Sequence, residues 1–539
     1  MVCAGELRFS VTSPFFLCYV VSPRGHAPGP CGKIAYAQST GVQLSEEKPQ
    51  QAVHGIISYE RILVDNAKEY AVSPVALELG ELFAAHGYEL ALVGGPVRDL
   101  LLGRPAHDLD FCTSARPEEF EHLLKEWGNG FWDMGRKFGT LGALKRMPDG
   151  REYSVEVTTY RSDSYEPDSR KPDVNYGDSL EGDLSRRDFT VNAMAIRVPS
   201  LEFVDPFDGR RDLERGMLRT PVAPEQSFDD DPLRMMRAVR FVAQLNFRIA
   251  LDTAEALADM APRIEIVSAE RVRDELCKLL LSDHPRQGLE ALVDSGLADY
   301  VFPELPDLEL EIDEHHRHKD VYEHTLQVLE RAIALETDEE GPVPGPDLML
   351  RLAAIMHDIG KPRTRKYEAN GKVSFLHHDV VGAKMTKKRM RALHFDNHMV
   401  EDVSALVEMH LRFHGYVDER WSDAAVRRYV KDSGHLYHRL NRLTRADATT
   451  QNKAKEQMFA RAMDDLEERV IELKKKEDFD SIRPDLNGDE IMSILSLKPG
   501  PLVGRAYRHM LDYRLDNGPA EHDVAVAELL RWYEDETRE

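Results

Sequence analysis

The segment LALVGGPVRD, residues 90–99, decides the fold prediction. Its first four residues form a short apolar run typical of a buried strand, and a helix is predicted to begin near Val97. The two glycines between them let the backbone approach a phosphate group closely, and N–H groups at a helix start attract anions. The segment therefore predicts an ordinary turn or a triphosphate-binding turn, with Gly95 and Arg98 as the nucleotide-binding candidates.

A pair of carboxylates favours the second interpretation. Asp108 and Asp110 lie in the segment HDLDF, thirteen residues after Gly95, and on a strand they share one face because side chains alternate. Carboxylates suit Mg²⁺, which prefers oxygen ligands. Glu156, in the strand-like segment YSVEVT at residues 153–158, is either a third catalytic carboxylate or the partner of an arginine. A phosphate-binding turn beside metal ligands predicts phosphoryl transfer.

A later segment, DPLRMMRAVR at residues 231–240, combines one acid and three arginines at every third position: Asp231, Arg234, Arg237 and Arg240. Residues three apart on a helix lie on one face. The other side is apolar and is expected to be buried: Met235, Met236, Val239 and, beyond the segment, Val242. This pattern predicts either a groove that reads a nucleotide base or an amphipathic helix with surface arginines.

Histidines and aspartates form a third constellation, which comprises His324, His357, Asp358 and Asp447. Imidazole and carboxylate ligands from three helices can hold a divalent cation that activates water. Three further histidines are candidates for a second metal: His378, His410 and His414.

Composition limits the class of protein. A length of 539 residues predicts two to four domains. The net charge of −25 disfavours RNA binding by the protein as a whole, but residues 361–391 hold ten basic residues against two acidic ones, so a local basic surface is expected. No apolar run approaches the ~20 residues of a membrane span, which predicts no membrane partner. The five cysteines form no CxxC pair, which favours the cytoplasm.

Five segments in chain order resemble the motifs of class II CCA-adding enzymes and bacterial poly(A) polymerases, within the polymerase β-like nucleotidyltransferases. They are GGPVRD with the DLD pair (94–110), RRDFTVNA (186–193), DPFDG (205–209), DDPLRMMRAVR (230–240) and SAERVRDEL (268–276). Asp230 stands where that family usually has Glu. The histidine–aspartate constellation resembles the HD phosphohydrolase superfamily.

The resemblance implies an α+β fold. A palm with a small mixed sheet and helices is expected over residues 64–221, followed by an all-α neck for base recognition (222–300). An HD-type helical body (301–452) and a helical RNA-binding tail (453–539) complete the expected order. Residues 1–60 are rich in Gly, Pro and Ser and are expected to be disordered or a mis-annotated extension.

The resemblance also implies an activity: addition of C, C and A to the 3′ end of tRNA from CTP and ATP, with Mg²⁺ held by Asp108 and Asp110. Arg187 is expected near the sugar or phosphates of the nucleotide, with Asp188 and Asn192 ordering that junction. Asp231 and Arg234 would read the base. The HD constellation would hold a divalent transition metal, and such a module either hydrolyses phosphoesters at RNA ends, including 2′,3′-cyclic phosphates, or serves as an RNA scaffold.

Other activities remain open. The first is that of a poly(A) polymerase, which would use ATP alone. The segment DMGRKFGTLG at 133–142 shares the letters GRKF with that branch of the family. Its Gly-Thr continuation, however, is more similar to CCA-adding enzymes. Addition of only CC or only A is a third possibility. An HD hydrolase with an RNA-binding palm would not need Asp108 and Asp110, and a non-catalytic RNA-binding protein would need neither metal group.

Overall fold

A computed structural model describes most of the chain after residue 71: residues 72–105, 108–161, 177, 179–310, 321–368, 373–418, 420–448, 453–476 and 483–538. The predicted N-terminal extension, residues 1–60, lies outside the described residues. So does the start of the predicted palm, residues 64–71.

Seven strands form one mixed sheet: β1 (Leu90–Val93), β2 (Asp108–Thr113), β3 (Gly130–Trp132), β4 (Thr140–Arg146), β5 (Glu152–Thr159), β6 (Ala195–Val198) and β7 (Glu202–Val204). Their order is β3-β4-β5-β2-β1-β6-β7. The β2–β5 pair is parallel and the other neighbours are antiparallel. Helices and 3₁₀ turns accompany the sheet: α1 (Pro74–Ala85), α2 (Gly95–Leu101), α3 (Pro117–Trp127), α4 (Leu180–Ser185), α5 (Gly209–Arg215), and the turns Arg136–Phe138 and Thr190–Asn192.

The two faces of the sheet bury different residues. Leu109 and Phe111 of β2 point into the main core with α1 and α3. Cys112 points the other way, into a smaller cluster with Leu180 and Leu184 of α4. This alternation, which any strand imposes on its side chains, leaves the start of β2 open to solvent on the second face.

The neck is helical apart from one short pair of parallel strands. Its elements are β8 (Met217–Leu218), α6 (Pro224–Asp230), α7 (Leu233–Leu245), β9 (Arg248–Ile249), α8 (Leu251–Met260), the 3₁₀ segment Ala261–Ile266, α9 (Ala269–Leu280), α10 (Pro285–Asp294) and α11 (Ala298–Val301). The apolar residues predicted for the inner side of α7 are all buried: Met235, Met236, Val239 and Val242.

The body and tail are helical, as expected. The body contains a 3₁₀ turn (Pro306–Leu308), α12 (Val321–Ala334), α13 (Leu348–Met356), α14 (Lys361–Thr364), the hairpin β10 (Lys366–Tyr367) and β11 (Val373–Ser374), α15 (His378–Ala392), α16 (Asn397–Met409), α17 (His414–Asp418), α18 (Asp423–Ser433), a 3₁₀ turn (Gly434–Leu436) and α19 (Tyr437–Asp447). The tail contains α20 (Lys453–Lys476), α21 (Gly488–Leu495), α22 (Pro501–Asn517) and α23 (His522–Arg538). Within the described ranges, no helix has both the length and the apolar character that a bilayer span requires.

Candidate active site and metal groups

The glycine turn lies beside the start of the carboxylate strand. β1 and β2 are antiparallel neighbours with Leu92 opposite Phe111, so the turn after β1 is next to the beginning of β2. Gly94 has φ +75°, and a Cβ at this position would lie 2.8 Å from the Nη1 atom of Arg187. Glycine is therefore required both for the backbone conformation and for the close approach of this arginine.

The carboxylates predicted from the DLD pair share one solvent-facing side of the sheet. Asp108 and Asp110 are exposed and alternate with buried Leu109 and Phe111. Glu156 of β5 is also exposed, and it is paired directly with Asp110 across the parallel strands. The ligand atoms of the three acids do not converge within the 4.8 Å that marks the compact metal groups of the described residues.

Negative charge is nevertheless concentrated at Asp110. Although its side chain is exposed, the surrounding protein partly desolvates the carboxylate and raises its pKa. Arg187 opposes this rise, while the charges of Glu156 and Asp108 add to it. A divalent cation would relieve this repulsion, so these oxygen donors fit a hard cation such as Mg²⁺.

Arg187 is held over the turn by Asp183, a residue that was not singled out from the sequence. The Nη2 atom of Arg187 lies 3.1 Å from Oδ2 of Asp183, and Arg186 binds the other oxygen at 2.8 Å. Burial by itself would raise the pKa of Asp183, but Arg187 and Arg186 lower it below its usual range. Asp183 lies on α4 and the two arginines directly follow it, at the spacing of three and four residues that is typical of helix pairs. This spacing is the signal that could have identified Asp183.

A chain of hydrogen bonds joins the palm to the neck through residues predicted to bind the nucleotide. Arg98 donates from Nη1 to Oδ1 of Asn192 at 2.8 Å, and Asn192 donates from Nδ2 to Oδ1 of Asp188 at 2.9 Å. Arg237 of α7 then donates from Nε to the other oxygen of Asp188 at 2.8 Å. Burial alone would raise the pKa of Asp188, but Arg237 and the other donors hold it far below its ordinary value.

We expect Asp188→Asn to destabilise this junction because it removes the nearer of the two carboxylates that pair with Arg237. Breaking a buried ion pair costs about 3–5 kcal/mol, but a third of the Arg237 side chain is exposed, so we expect a loss of about 2 kcal/mol. Urea denaturation measures the loss. Asp252→Asn is the control because Asp252 pairs with Arg219 at 3.0 Å on the surface and should cost less than about 1 kcal/mol. Equal losses in the two variants would contradict the structural role of Asp188.

The predicted row on α7 differs from the structure at its first member. Asp231 is extended, with φ −145° and ψ 98°, and α7 begins at Leu233. The reason is Pro232, since a residue before proline is driven out of the helical conformation. Asp231 therefore precedes the helix, where its Oδ1 accepts from the backbone N–H of Leu233 and its Oδ2 lies 3.2 Å from Arg271.

Two of the three arginines of α7 are buried, and the third, Arg237, is half-buried. Arg234 is buried and donates to the hydroxyl of Ser227 at 2.8 Å and to the carbonyl of Arg186. Arg240 is also buried and pairs with Glu275 of α9. The ring of Phe241 packs against the guanidinium groups of two α7 arginines and of Arg98. Arg98, Arg237 and Arg240 lie 5.4, 5.5 and 4.1 Å from the ring centroid. No pattern in the sequence marks Phe241 for this contact.

The HD constellation converges from the ends of several helices. His324 lies in α12, His357 and Asp358 follow α13, and Asp447 ends α19. The Nε2 atom of His324 lies 3.0 Å from Oδ1 of Asp447 and 3.4 Å from Nε2 of His357. These three residues form one compact group that could hold a metal ion.

A second compact group contains Asp358, His378 and His410. Oδ1 of Asp358 lies 3.4 Å from Nε2 of His378, whereas Oδ2 lies 3.2 Å from Nε2 of His357. The two oxygens of Asp358 thus face different groups. Gly360 permits this arrangement because a Cβ there would lie 2.1 Å from the carbonyl oxygen of His378.

The hydrogen bonding and burial of the donor atoms in both groups suit the binding of a cation. His357, His378 and His410 each direct Nδ1 at a backbone carbonyl oxygen, at 2.8, 2.8 and 2.6 Å. Such contacts leave Nε2 as the metal-binding nitrogen. Nε2 of His378 and of His410 and Oδ1 of Asp358 are buried without a hydrogen-bond partner, which is the state expected of ligands that await a divalent metal.

The charges around His357 lead to the same conclusion. Burial would lower the pKa of His357, but Asp358 and Asp447 raise it well above its usual value. In the same group of side chains, burial and the charge of His357 lower the pKa of His410 to about 4. Carboxylates that hold a proton on a buried histidine could instead hold a metal ion. His414, the remaining candidate, lies outside both groups and contacts the ring of Phe459.

Basic residues of the segment 361–391 and of the later helices are ion-paired within the protein. Arg389 pairs with Glu304 at 2.7 Å and Lys387 with Glu401 at 2.5 Å. Further pairs join Arg439 to Asp347, Arg445 to Glu467 and Arg428 to Asp516. Part of the local positive charge predicted from the sequence is therefore neutralised by acids that are distant along the chain.

Family models match three consecutive parts of the chain. The model described as a Poly A polymerase head domain matches residues 90–219, that of a probable RNA and SrmB-binding site of polymerase A matches 246–308, and that of an HD domain matches 321–470. The carboxylate strand belongs to the first match, and the two HD metal groups belong to the third.

Relatives with known roles align over different lengths. A CCA-adding enzyme of Streptococcus gordonii is 43% identical over 234 residues, which is 43% of this chain and 55% of the relative. The chain therefore spans about half of that relative. An A-adding tRNA nucleotidyltransferase of Deinococcus radiodurans is 34% identical over 363 residues, which is 66% of this chain and 80% of the relative.

Solved structures share the fold. The Bacillus stearothermophilus CCA-adding enzyme in complex with CTP superposes with a TM-score of 0.60 at 24% identity, covering 86% of this chain and 98% of the other. The Thermotoga maritima CCA-adding enzyme complexed with tRNA gives 0.54 at 20% identity, covering 87% and 97%.

Proposed function

Because the chain belongs to the family of CCA-adding enzymes and bacterial poly(A) polymerases, we propose that it adds C, C and A to the 3′ end of tRNA from CTP and ATP. The observation that carries this proposal is the exposed pair Asp108 and Asp110, which lies beside the Gly94–Gly95 turn and under Arg187. We place the reaction in the cytoplasm, where thiols such as the free Cys112 and Cys277 stay reduced.

The residues of the palm divide the work of phosphoryl transfer. Asp108 and Asp110 would hold Mg²⁺, with Glu156 beside them as a third acid. When bound, Mg²⁺ activates the attacking 3′-hydroxyl and neutralises the departing pyrophosphate. Gly95 exposes backbone N–H groups to the triphosphate, and Arg187, fixed by Asp183, supplies positive charge beside them.

The neck residues would select the base. Asp231 offers a carboxylate to the amino group at C4 of cytosine or C6 of adenine. Uracil and guanine carry a carbonyl oxygen at the corresponding position and would leave that acceptor unpaired. Arg234 is already bonded to Ser227 and Arg186, so it either exchanges these bonds for the base or fixes the position of Asp231 and Arg187. Arg237 and Arg240 hold the same face through Asp188 and Glu275.

We expect Arg234→Lys to reduce kcat/KM for CTP and ATP by about tenfold, because lysine lacks the forked donors, and one bidentate contact is worth about 1–3 kcal/mol. The dissociation constant for tRNA should stay within about twofold of the wild-type value, since a phosphate-binding role is not assigned to this buried residue. Steady-state incorporation and tRNA binding measure the two effects. Arg248→Lys, at an exposed position of the neck, is the control. A change in tRNA affinity alone would contradict the assignment.

Addition of A alone is the second candidate, because the Deinococcus radiodurans relative that aligns over most of its length is an A-adding enzyme. Two tRNA substrates separate the activities: one lacks all three terminal nucleotides and one ends in CC. With CTP and ATP supplied singly and together, a CCA-adding enzyme extends both substrates. An A-adding enzyme extends only the substrate that ends in CC.

For the HD body we propose a metal-dependent phosphohydrolase that acts on phosphoesters at RNA ends, including 2′,3′-cyclic phosphates. The support is the pair of compact groups whose Nε2 atoms face one another around Asp358. Histidine ligands favour transition metals over Mg²⁺. When bound, such a metal would lower the pKa of a water molecule for attack on phosphorus. Lys361, whose Nζ lies 2.6 Å from Oδ2 of Asp358, fixes this carboxylate of the second group beside His357 of the first group.

A further inference from the structure

We propose that His398, Asp402 and His435 form an additional site for a divalent transition-metal ion, such as Zn²⁺, on the surface of the HD body. His398 and Asp402 lie one turn apart on α16, and His435 lies in the 3₁₀ turn Gly434–Leu436. Their ligand atoms all lie within 4.8 Å of one another.

The geometry of the three side chains suits one ion. Nδ1 of His398 lies 3.3 Å and Nε2 of His435 lies 2.8 Å from the same oxygen, Oδ2 of Asp402. Bonds of about 2.0–2.1 Å to a tetrahedral zinc ion place two ligands about 3.3–3.4 Å apart. The first distance already fits. The second requires His435 to move by about half an ångström, and its side chain is 61% exposed and free to do so.

The choice of metal follows from the donors. Two imidazoles and one carboxylate favour zinc, nickel or cobalt over Mg²⁺ and Ca²⁺, which prefer oxygen ligands. Asp402 is buried, whereas both histidines are exposed. The surrounding protein therefore holds the carboxylate in place, and the remaining coordination positions of the metal ion face solvent.

This surface site is separate from the HD metal groups, but it is connected to them by two helices. Asp402 and His410 are eight residues apart along α16 and its C-cap, which corresponds to about 12 Å. His435 precedes α19, whose last residue is Asp447. The starts of α16 and α19 thus meet at the surface site, and their ends carry His410 and Asp447. A metal at the surface site would clamp the helix pair that positions these two ligands.

The test is a count of bound zinc in the full-length protein. After equilibration with micromolar Zn²⁺ and removal of loosely bound metal, His398→Gln with His435→Gln should contain one zinc ion fewer per chain than the wild type. His86→Gln with His122→Gln is the matched control because these histidines are also exposed, with ring centroids 6.1 Å apart, and belong to none of the compact groups. It should keep the wild-type count.

A single substitution provides a second test that does not depend on the folding of the double variant. His435→Gln removes one exposed ligand and should weaken binding of that ion by more than about 100-fold, since loss of an outer-shell contact alone costs 10–100-fold. Circular dichroism should remain that of the wild type. Equal zinc counts and affinities in the wild type and both variants would overturn the proposal. The cluster would then be a carboxylate hydrogen-bonded to two histidines without a metal-binding role.

Discussion

Asp110→Asn is expected to reduce nucleotide incorporation by about 10²–10³-fold while the protein stays folded. The substitution preserves the shape of the side chain but removes the charge, and the loss of one group that stabilises transition-state charge costs about 10²–10³-fold. Asp110 is also exposed on β2, so the core does not depend on it. Incorporation of CTP into tRNA lacking its 3′ end measures the rate, and circular dichroism measures the fold.

Glu152→Gln is the matched control for this prediction. Glu152 lies on β5 and on the same side of the strand as Glu156, four residues earlier, and it pairs with Arg146 at the surface. Removal of this charge should leave incorporation within about twofold, because exposed ion pairs contribute little. If Asp110→Asn incorporated CTP at the wild-type rate, Asp110 would not belong to the reacting centre.

The second large effect separates the two chemistries of the chain. His357→Ala combined with Asp358→Ala should abolish hydrolysis of 2′,3′-cyclic phosphate that Mn²⁺ or Ni²⁺ stimulates, and it should spare CCA addition. His357 belongs to the first metal group and Asp358 to the second, so the double substitution removes a ligand from each. The palm carboxylates lie on β2 and β5, which contain none of these ligands.

Both assays are run on this double variant and on Asp110→Asn, which should show the reverse pattern. CCA addition by the double variant also demonstrates that its palm and neck are folded. If the wild type hydrolyses nothing with any divalent metal, the HD body has a structural or RNA-binding role. If the folded double variant loses CCA addition, the two sites are coupled and their independence is contradicted.

Short-range patterns in the sequence predicted the carboxylate strand and its position. The alternation of Asp108 and Asp110 with apolar residues decides which face is exposed, and the glycine turn defines the preceding strand end. Both depend on the backbone geometry of neighbouring residues. The convergence of His324, His357 and Asp447 was predicted from motif order, because spacing alone does not bring together three helices.

Longer-range packing explains what the sequence did not predict. Periodicity placed Arg234 on the same face as Arg237, but it could not show that Ser227 and the carbonyl of Arg186 lie opposite and bury it. The extended conformation of Asp231 has a local cause, because the following Pro232 disfavours the helical conformation. The pairing of basic residues with distant acids, such as Arg389 with Glu304, is tertiary and leaves no local pattern.

We propose that this chain builds a CCA end without a template, and sequencing of extended tRNA tests this proposal. A tRNA that lacks its last three nucleotides is incubated with the full-length protein, Mg²⁺ and all four nucleoside triphosphates at equal concentration, and the 3′ ends are sequenced. We expect extension by C, C and A, followed by a stop. Runs of A of variable length, or no extension of this substrate, would contradict the proposed function.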